Sequence, residues 1–154
     1  MGYYILFLPL AASIISGFFG KLIGDKASQL VTSLFVTISA FLSIIVLYNV
    51  IATGYSENLI IATWINSGSL NVNWSVNIDP LSAVMLVVVT LVSAIVHIYS
   101  IGYMSHDPHK SRFMSYLSLF TFAMLTLVTS DNFIQLFFGW EGVGLCSYFL
   151  IGFW

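Results

Sequence analysis

Charged residues are scarce in this sequence. The chain of 154 residues has four Lys or Arg and six Asp or Glu, which is 6% of its residues, whereas soluble domains carry about 25%. Ten charges cannot cover a water-facing surface, so an ordinary soluble globule and a solvated disordered tail are excluded. Four basic residues also cannot form the patch that a nucleic-acid-binding protein needs. The remaining class is a protein surrounded mostly by lipid.

Cysteine is nearly absent as well. The single cysteine, Cys146, excludes an intrachain disulfide and a metal site built from several thiolates. The sequence has no glycine-rich phosphate loop, dinucleotide fingerprint, haem motif or iron–sulfur cysteine set. His106 and His109 stand in a polar loop, where we expect them to be solvated rather than to bind a metal. We therefore predict no redox cofactor and no metal in this chain.

Long apolar runs dominate what is present. Hydrophobic residues make up 59% of the chain, and the mean hydropathy is +1.00. A spanning helix needs roughly 17–25 mostly apolar residues, and lipid leaves such a run no alternative to helix. The pattern predicts an all-α integral membrane protein, a single membrane domain over 1–154. Its five helices are expected at about 3–19, 29–53, 80–104, 113–130 and 132–154. A cleaved signal peptide is the alternative for the first run, which lacks a basic leader.

Two segments predict a small β-hairpin between the second and third helices. From Leu70 to Ile78 apolar and polar residues alternate with a period of two, which is typical of a half-buried strand. A second strand is expected at residues 60–65, with a turn at 66–69. The alternative is a segment lying on the membrane surface, held there by Trp64 and Trp74.

The basic residues predict the orientation. The four of them fall in the first and third loops, which share one face in a protein with five spans: Lys21, Lys26, Lys110 and Arg112. Basic loops remain on the cytoplasmic or equivalent side. The N-terminus and the hairpin are therefore expected on the outer, periplasmic or intermembrane side.

Polar residues also predict where two helices begin. Asp79 precedes Pro80, a pair typical of an N-cap followed by the first helical residue. Asp131 and Asn132 suit the same capping role at the start of the fifth helix.

Glu141 is the first candidate for chemistry. It follows Asn132 by nine positions, which is about 14 Å of helix and close to half of a hydrocarbon core of about 30 Å. A charged side chain there costs about 2.5–3.5 kcal/mol on insertion scales, so the neutral acid is favoured. A carboxyl that can gain and lose its proton at the midplane suits a proton relay. The alternative is a buried Glu that only bonds to a neighbouring helix.

His97 is the second candidate. Thr90, Ser93, His97 and Ser100 follow a spacing of three to four and form one polar stripe on the third helix. An imidazole exchanges protons near neutral pH, so His97 is a possible point of proton entry from the inner side. The alternative is an interfacial histidine hydrogen-bonded to a loop.

The sequence from Asp131 onward is more specific: it reads DNFIQLFFGWEGVGLCSYFLIGFW, and IDPLS, HIYSIGYM and RFMSYLSLF precede it. Together these segments closely resemble subunit L, or chain 5, of respiratory complex I, the proton-translocating NADH–quinone oxidoreductase. The resemblance covers nearly the whole chain. It is loose over the first two helices and strong from Asp79 to Trp154.

The resemblance implies an antiporter-like fold of many helices, in which Glu141 matches the family's helix-five glutamate in a proton channel. It also implies that this subunit holds no redox centre, since NADH, FMN, iron–sulfur clusters and quinone belong to partner subunits. The implied partners are other membrane subunits of complex I and the lipid bilayer. The implied location is the bacterial cell membrane or the mitochondrial inner membrane.

Family members continue through further helices that carry partner lysines. We therefore expect this chain to be an N-terminal fragment, or a split or decayed gene product, that lacks C-terminal helices and is inactive alone. Two other readings stay open: the large subunit of a multisubunit sodium/proton antiporter, and an inactive truncated remnant.

Overall fold

Five helices and one two-stranded sheet make up the chain. The structure, a computed structural model, describes residues 1–154. Each of the five helices is long and apolar enough to cross a membrane, so the predicted five spans and hairpin are confirmed. In chain order the elements are α1 (Gly2–Ile23), α2 (Asp25–Thr53), β1 (Glu57–Ser67), β2 (Leu70–Ile78), α3 (Pro80–Tyr103), α4 (Lys110–Val128) and α5 (Phe133–Ile151).

The helices extend further into the basic loops than the apolar runs suggested. Only Gly24, with a φ of 87°, separates α1 from α2, a conformation that glycine adopts without strain. Likewise, α4 begins at Lys110 instead of residue 113. Long basic side chains at a helix end can place their charges in the interface while the backbone stays helical. A boundary drawn at the first charge therefore makes a membrane helix too short.

Helices α1 to α4 form a bundle, and α5 packs against one side of this bundle. α1 packs against α2 and α4, and α3 packs against the other side of α2. α4 also contacts α2 and α3, so it closes the bundle. α5 packs chiefly against α4. Most of the surface of α5 is therefore free of other helices.

The hairpin is longer than predicted. β1 and β2 are antiparallel and pair from Glu57 with Ile78 to Ser67 with Leu70. The register shifts at Ile61 and at Trp64, where β1 has an extra residue, as in a β-bulge. Gly68 has a φ of 59° in the turn, which a two-residue hairpin turn with glycine at its first position requires.

The hairpin is docked on one end of the helices. Trp64 and Trp74 form an aromatic cluster with Phe138 of α5, with ring centroids 4.8–5.7 Å apart. The Asn77 N–H donates to the Thr129 carbonyl at 2.8 Å. These contacts attach the hairpin to the connection between α4 and α5. The two tryptophans pack the hairpin against α5.

The interior of the bundle changes from apolar to polar along its length. The apolar core lies at the hairpin end and contains Ile5, Leu6, Val46, Val50, Val76, Ile78, Ala83, Leu86 and Leu125. Towards the basic end the buried side chains are mainly hydroxyls, with His97 among them; they include Ser13, Ser16, Ser28, Thr32, Ser33, Ser100, Ser115 and Ser118. Hydroxyls that bond across helices hold membrane bundles together by about 0.6 kcal/mol each.

Candidate functional site

Glu141 is the ninth of the 19 residues of α5, which places it about 12 Å from the start of the helix. The side chain of Glu141 is exposed. It lies on a different face of α5 from Gln135, Gly139 and Cys146, which are buried. The structure thus leaves the mid-helix carboxyl on a surface that none of the other four helices covers.

The glycines around Glu141 have two separate roles. A Cβ on Gly139 would lie 2.8 Å from the Leu127 backbone, and one on Gly142 would lie 3.2 Å from the Ala123 Cβ. These two glycines let α5 approach α4 closely. A Cβ on Gly144 would meet nothing within 4 Å. Gly144 is exposed three residues after Glu141, so it leaves space on the open face beside the carboxyl.

His97 is completely buried between α3 and α4. Its Nδ1 lies 2.7 Å from the Ser93 carbonyl oxygen, and its Nε2 lies 3.0 Å from Ser118 Oγ. In the neutral ring, Nδ1 donates to the backbone carbonyl, which leaves Nε2 to accept from the Ser118 hydroxyl. Both partners belong to helices, whereas the alternative interpretation had expected a loop.

The polar stripe on α3 reaches both neighbouring helices. Thr90 Oγ1 lies 2.8 Å from Ser43 Oγ of α2. Ser93 forms a hydrogen bond with Thr121 of α4. Together with the bond from His97 to Ser118, these contacts link α2, α3 and α4 through side-chain hydrogen bonds.

The structure does not bring Glu141 and His97 into contact. His97 lies inside the seam between α3 and α4, while Glu141 lies on the open face of α5. The two residues therefore belong to two separate polar regions of the chain, one enclosed and one open.

Sequence reasoning missed the α4 partners of His97. Ser118 and Thr121 are buried and bond to the α3 stripe. Ser111, Ser115 and Ser118 recur at a spacing of three to four, which indicates a single helix face. That pattern was present in the sequence and would have predicted the pairing of two polar stripes.

Both predicted helix caps are confirmed. The Asp79 carboxylate accepts from the Ser82 N–H at 2.6 Å and from the Ser82 hydroxyl at 2.7 Å. These bonds hold the pKa of Asp79 below its ordinary value of 3.8. Asn132 caps α5 by accepting from the Gln135 N–H at 2.8 Å. The two caps determine the residues at which α3 and α5 begin. They therefore determine how far His97 and Glu141 lie along their helices.

The chain is similar in sequence to several known proteins. Residues 64–114 match the family model described as NADH-Ubiquinone oxidoreductase (complex I), chain 5 N-terminus. The chain is 55% identical to NADH-ubiquinone oxidoreductase chain 5 of Phytophthora infestans over 150 residues. It is 54% identical to NADH-quinone oxidoreductase subunit L of Rickettsia conorii over 153 residues. The chain is thus similar in sequence to chain 5, or subunit L, proteins of complex I.

The likeness to chain 5 covers 97% of this chain but 23% of each of those two relatives. The chain 5 protein of Arabidopsis thaliana, at 53% identity, is covered to 22%. The family model spans the last part of β1, all of β2 and α3, and the start of α4, so it includes His97 but not Glu141. The expected resemblance to chain 5 is thus confirmed.

Proposed function

We propose that the chain forms part of a membrane-arm subunit of NADH–quinone oxidoreductase and takes part in proton translocation coupled to quinone reduction. Glu141 is the relay carboxyl in this proposal. Its position in the middle of a spanning helix, on a face without a helix against it, is the observation that carries the proposal.

We propose that another helix packs over the exposed face that carries Glu141. A carboxylate at the centre of a membrane costs about 2.5–3.5 kcal/mol when it meets lipid. The face also carries the exposed side chains of Phe137, Leu145 and Tyr148, so the carboxyl is an isolated polar group on an apolar surface. Since the relatives are about four times as long as the aligned segment, we propose that further helices of such a subunit cover Glu141 and exchange protons with it.

His97 is proposed as a second proton-carrying group, on the side of the basic loops. Four buried polar atoms between the basic end and the middle of α2 have no protein partner: Ser28 Oγ, Gln29 Nε2, Ser33 Oγ and Ser39 Oγ. Buried polar groups normally pair with protein or with ordered water. We expect water to enter this half of the bundle and reach His97, while the apolar core closes the hairpin end.

Orientation follows from the same polarity. We propose that the basic end faces the cytoplasm or matrix and that the hairpin and the N-terminus face the periplasm or intermembrane space. Single cysteines at positions 67 and 110, in a Cys146→Ser background, test this with a membrane-impermeant thiol reagent. Only position 67 should react from outside; outside labelling of position 110 would reverse the orientation.

The redox chemistry is proposed to lie elsewhere in the assembly. NADH, FMN, iron–sulfur clusters and quinone would bind to partner subunits, and this chain would respond to their reduction through its protein contacts. The chain itself has one cysteine, whereas a cluster of iron and sulfur needs about four such ligands.

Co-purification tests the assignment. A tagged chain expressed in its own cells should be isolated with NADH dehydrogenase subunits, and Glu141→Gln should be isolated with them equally well because it preserves volume and hydrogen bonding. Isolation with the subunits of a sodium/proton antiporter would replace this assignment with the antiporter one. Isolation with neither set would contradict both.

A further inference from the structure

A polar cavity lies at the basic end of the helices. It has a volume of about 370 Å³ and no hydrophobic residue in its wall. The wall is formed by the end of α1, the start of α2 and the start of α4; its charged and imidazole side chains are Lys21, Asp25, His109 and Arg112. We propose that this cavity binds the phosphate headgroup of an anionic membrane lipid.

The charge around the cavity favours an anion. Lys21 and Arg112 are exposed, so both can reach a ligand. Arg112 lines the cavity, and its guanidinium lies 4.8 Å from the centre of the Phe153 ring, which is outside the cavity wall. Asp25 is the one carboxylate in the wall, and it accepts a hydrogen bond of 2.9 Å from the Ser111 hydroxyl. The cations therefore outnumber the acid in the wall by two to one.

Backbone donors add to the cations. The cavity lies at the beginnings of α2 and α4, where neither Gly24 nor His109 supplies a side-chain cap. The first turn of a helix has backbone N–H groups without intrahelical acceptors, and these attract phosphate oxygens. Ser28 Oγ is buried without a protein partner behind the wall, where a Cβ on Gly20 would lie 3.4 Å from it, but Ser28 itself does not line the cavity.

The surroundings favour a lipid over free phosphate as the source of the headgroup. The cavity lies at the end of the spanning helices, at the level where lipid headgroups meet water. Beside it on α1, Phe18 is 81% exposed and Leu22 is 82% exposed. A lipid whose phosphate is held between Lys21 and Arg112 would place its acyl chains along this apolar surface. Basic pockets between membrane helices on this side of a bilayer are known to hold such headgroups.

The chain provides its own matched control. Lys26 at the start of α2 and Lys110 at the start of α4 are close in sequence to the cavity residues Lys21 and Arg112 but do not line the cavity. The double variants Lys21→Gln/Arg112→Gln and Lys26→Gln/Lys110→Gln remove the same number of charges from the same face. A general attraction of the basic face to anionic lipid would weaken equally in both, whereas a built site would weaken only in the first.

Native mass spectrometry of the purified chain, titrated with phosphatidylglycerol or phosphatidylcholine, measures the preference directly. The wild type and the Lys26/Lys110 variant should bind the first phosphatidylglycerol about tenfold more tightly than phosphatidylcholine, and the Lys21/Arg112 variant should lose this preference. Equal loss in both variants would overturn the proposal. Displacement of the lipid by millimolar inorganic phosphate would identify a free-phosphate site and reject the lipid.

A second measurement uses the unmodified chain, so it does not depend on the folding of a variant. Phosphatidylglycerol with a photoreactive headgroup, activated in membranes that contain the wild type, should form adducts within residues 16–25 and 108–112. Adducts spread evenly over both ends of the helices, or confined to the hairpin, would contradict the proposal.

Discussion

The Nε2 atom of His97 on α3 lies 3.0 Å from the Oγ atom of Ser118 on α4, and both residues are fully buried. This bond joins two polar stripes from different helices inside a membrane bundle. It also fixes the ring, because Nδ1 is bonded to the Ser93 carbonyl. The proposed proton-carrying histidine is therefore held in one orientation by helix residues on both of its nitrogens.

Replacing Ser118 should weaken the bundle, since Ser118→Ala leaves Nε2 without a partner. We expect the free energy of unfolding to fall by about 1 kcal/mol. A double-mutant cycle with His97→Phe should give a coupling of about 0.6 kcal/mol, as for hydrogen bonds between other membrane helices. Unfolding in mixed micelles measures both. Ser105→Ala, at an exposed loop position, serves as the control, and zero coupling would contradict the bond.

The contact between α4 and α5 should be sensitive to a single methyl group. A Cβ at Gly139 would lie 2.8 Å from backbone atoms of Leu127, which cannot move alone. Gly139→Ala should therefore destabilise the chain by about 1–3 kcal/mol. Gly144→Ala adds the same group where nothing lies within 4 Å, and it should change stability by less than about 0.5 kcal/mol. Equal effects would show that α5 packs differently.

Gln135 should control how firmly the hairpin is attached. Its amide accepts from the Ser75 N–H at 3.0 Å and donates to the Ser75 carbonyl at 2.7 Å, and the whole side chain is buried. Gln135→Leu leaves the Ser75 N–H and carbonyl without these partners, which should lower the free energy of unfolding by about 1–3 kcal/mol. Hydrogen exchange over residues 70–78 should speed up markedly. Asn58→Ala, which removes an exposed bond to Asp131, should leave that exchange unchanged.

The Asp79 cap should give α3 an acid-dependent stability. The bonds from Ser82 keep the pKa of Asp79 below 3.8 in the folded chain. A lowered pKa stabilises the fold above the unfolded value and loses this contribution as the pH falls through the folded value. Asp79→Ala should therefore cost about 1 kcal/mol at pH 7, and the difference from wild type should shrink below pH 3.8. The advantage of Asp79→Asn over Asp79→Ala should not depend on pH.

Local sequence signals predicted the spans, the hairpin and the caps because each depends on near neighbours. Apolar runs of helix length determine the spans, and the alternation from Leu70 to Ile78 determines a strand. The exact ends were less accessible, because Lys110 and Asp25 can continue a helix while their charges stay in water. Element type was thus easier to predict than element length.

The site was predictable in its residue types and not in its arrangement. Hydropathy and spacing selected Glu141 and His97 as polar groups within spans. The face that each presents to its neighbours depends on how five helices pack, and no single segment encodes that packing. For this reason the sequence did not reveal that His97 is enclosed by α4 while Glu141 is open.

The central claim is that Glu141 carries protons. Proton pumping by the assembled enzyme in vesicles, driven by NADH and followed with an internal pH dye, tests this most directly. The comparison is between wild type, Glu141→Gln and Glu57→Gln, a matched change at the hairpin outside the spans. The account predicts that Glu141→Gln assembles normally but loses most of its pumping, while Glu57→Gln pumps like wild type. Wild-type pumping by an assembled Glu141→Gln enzyme would contradict the account.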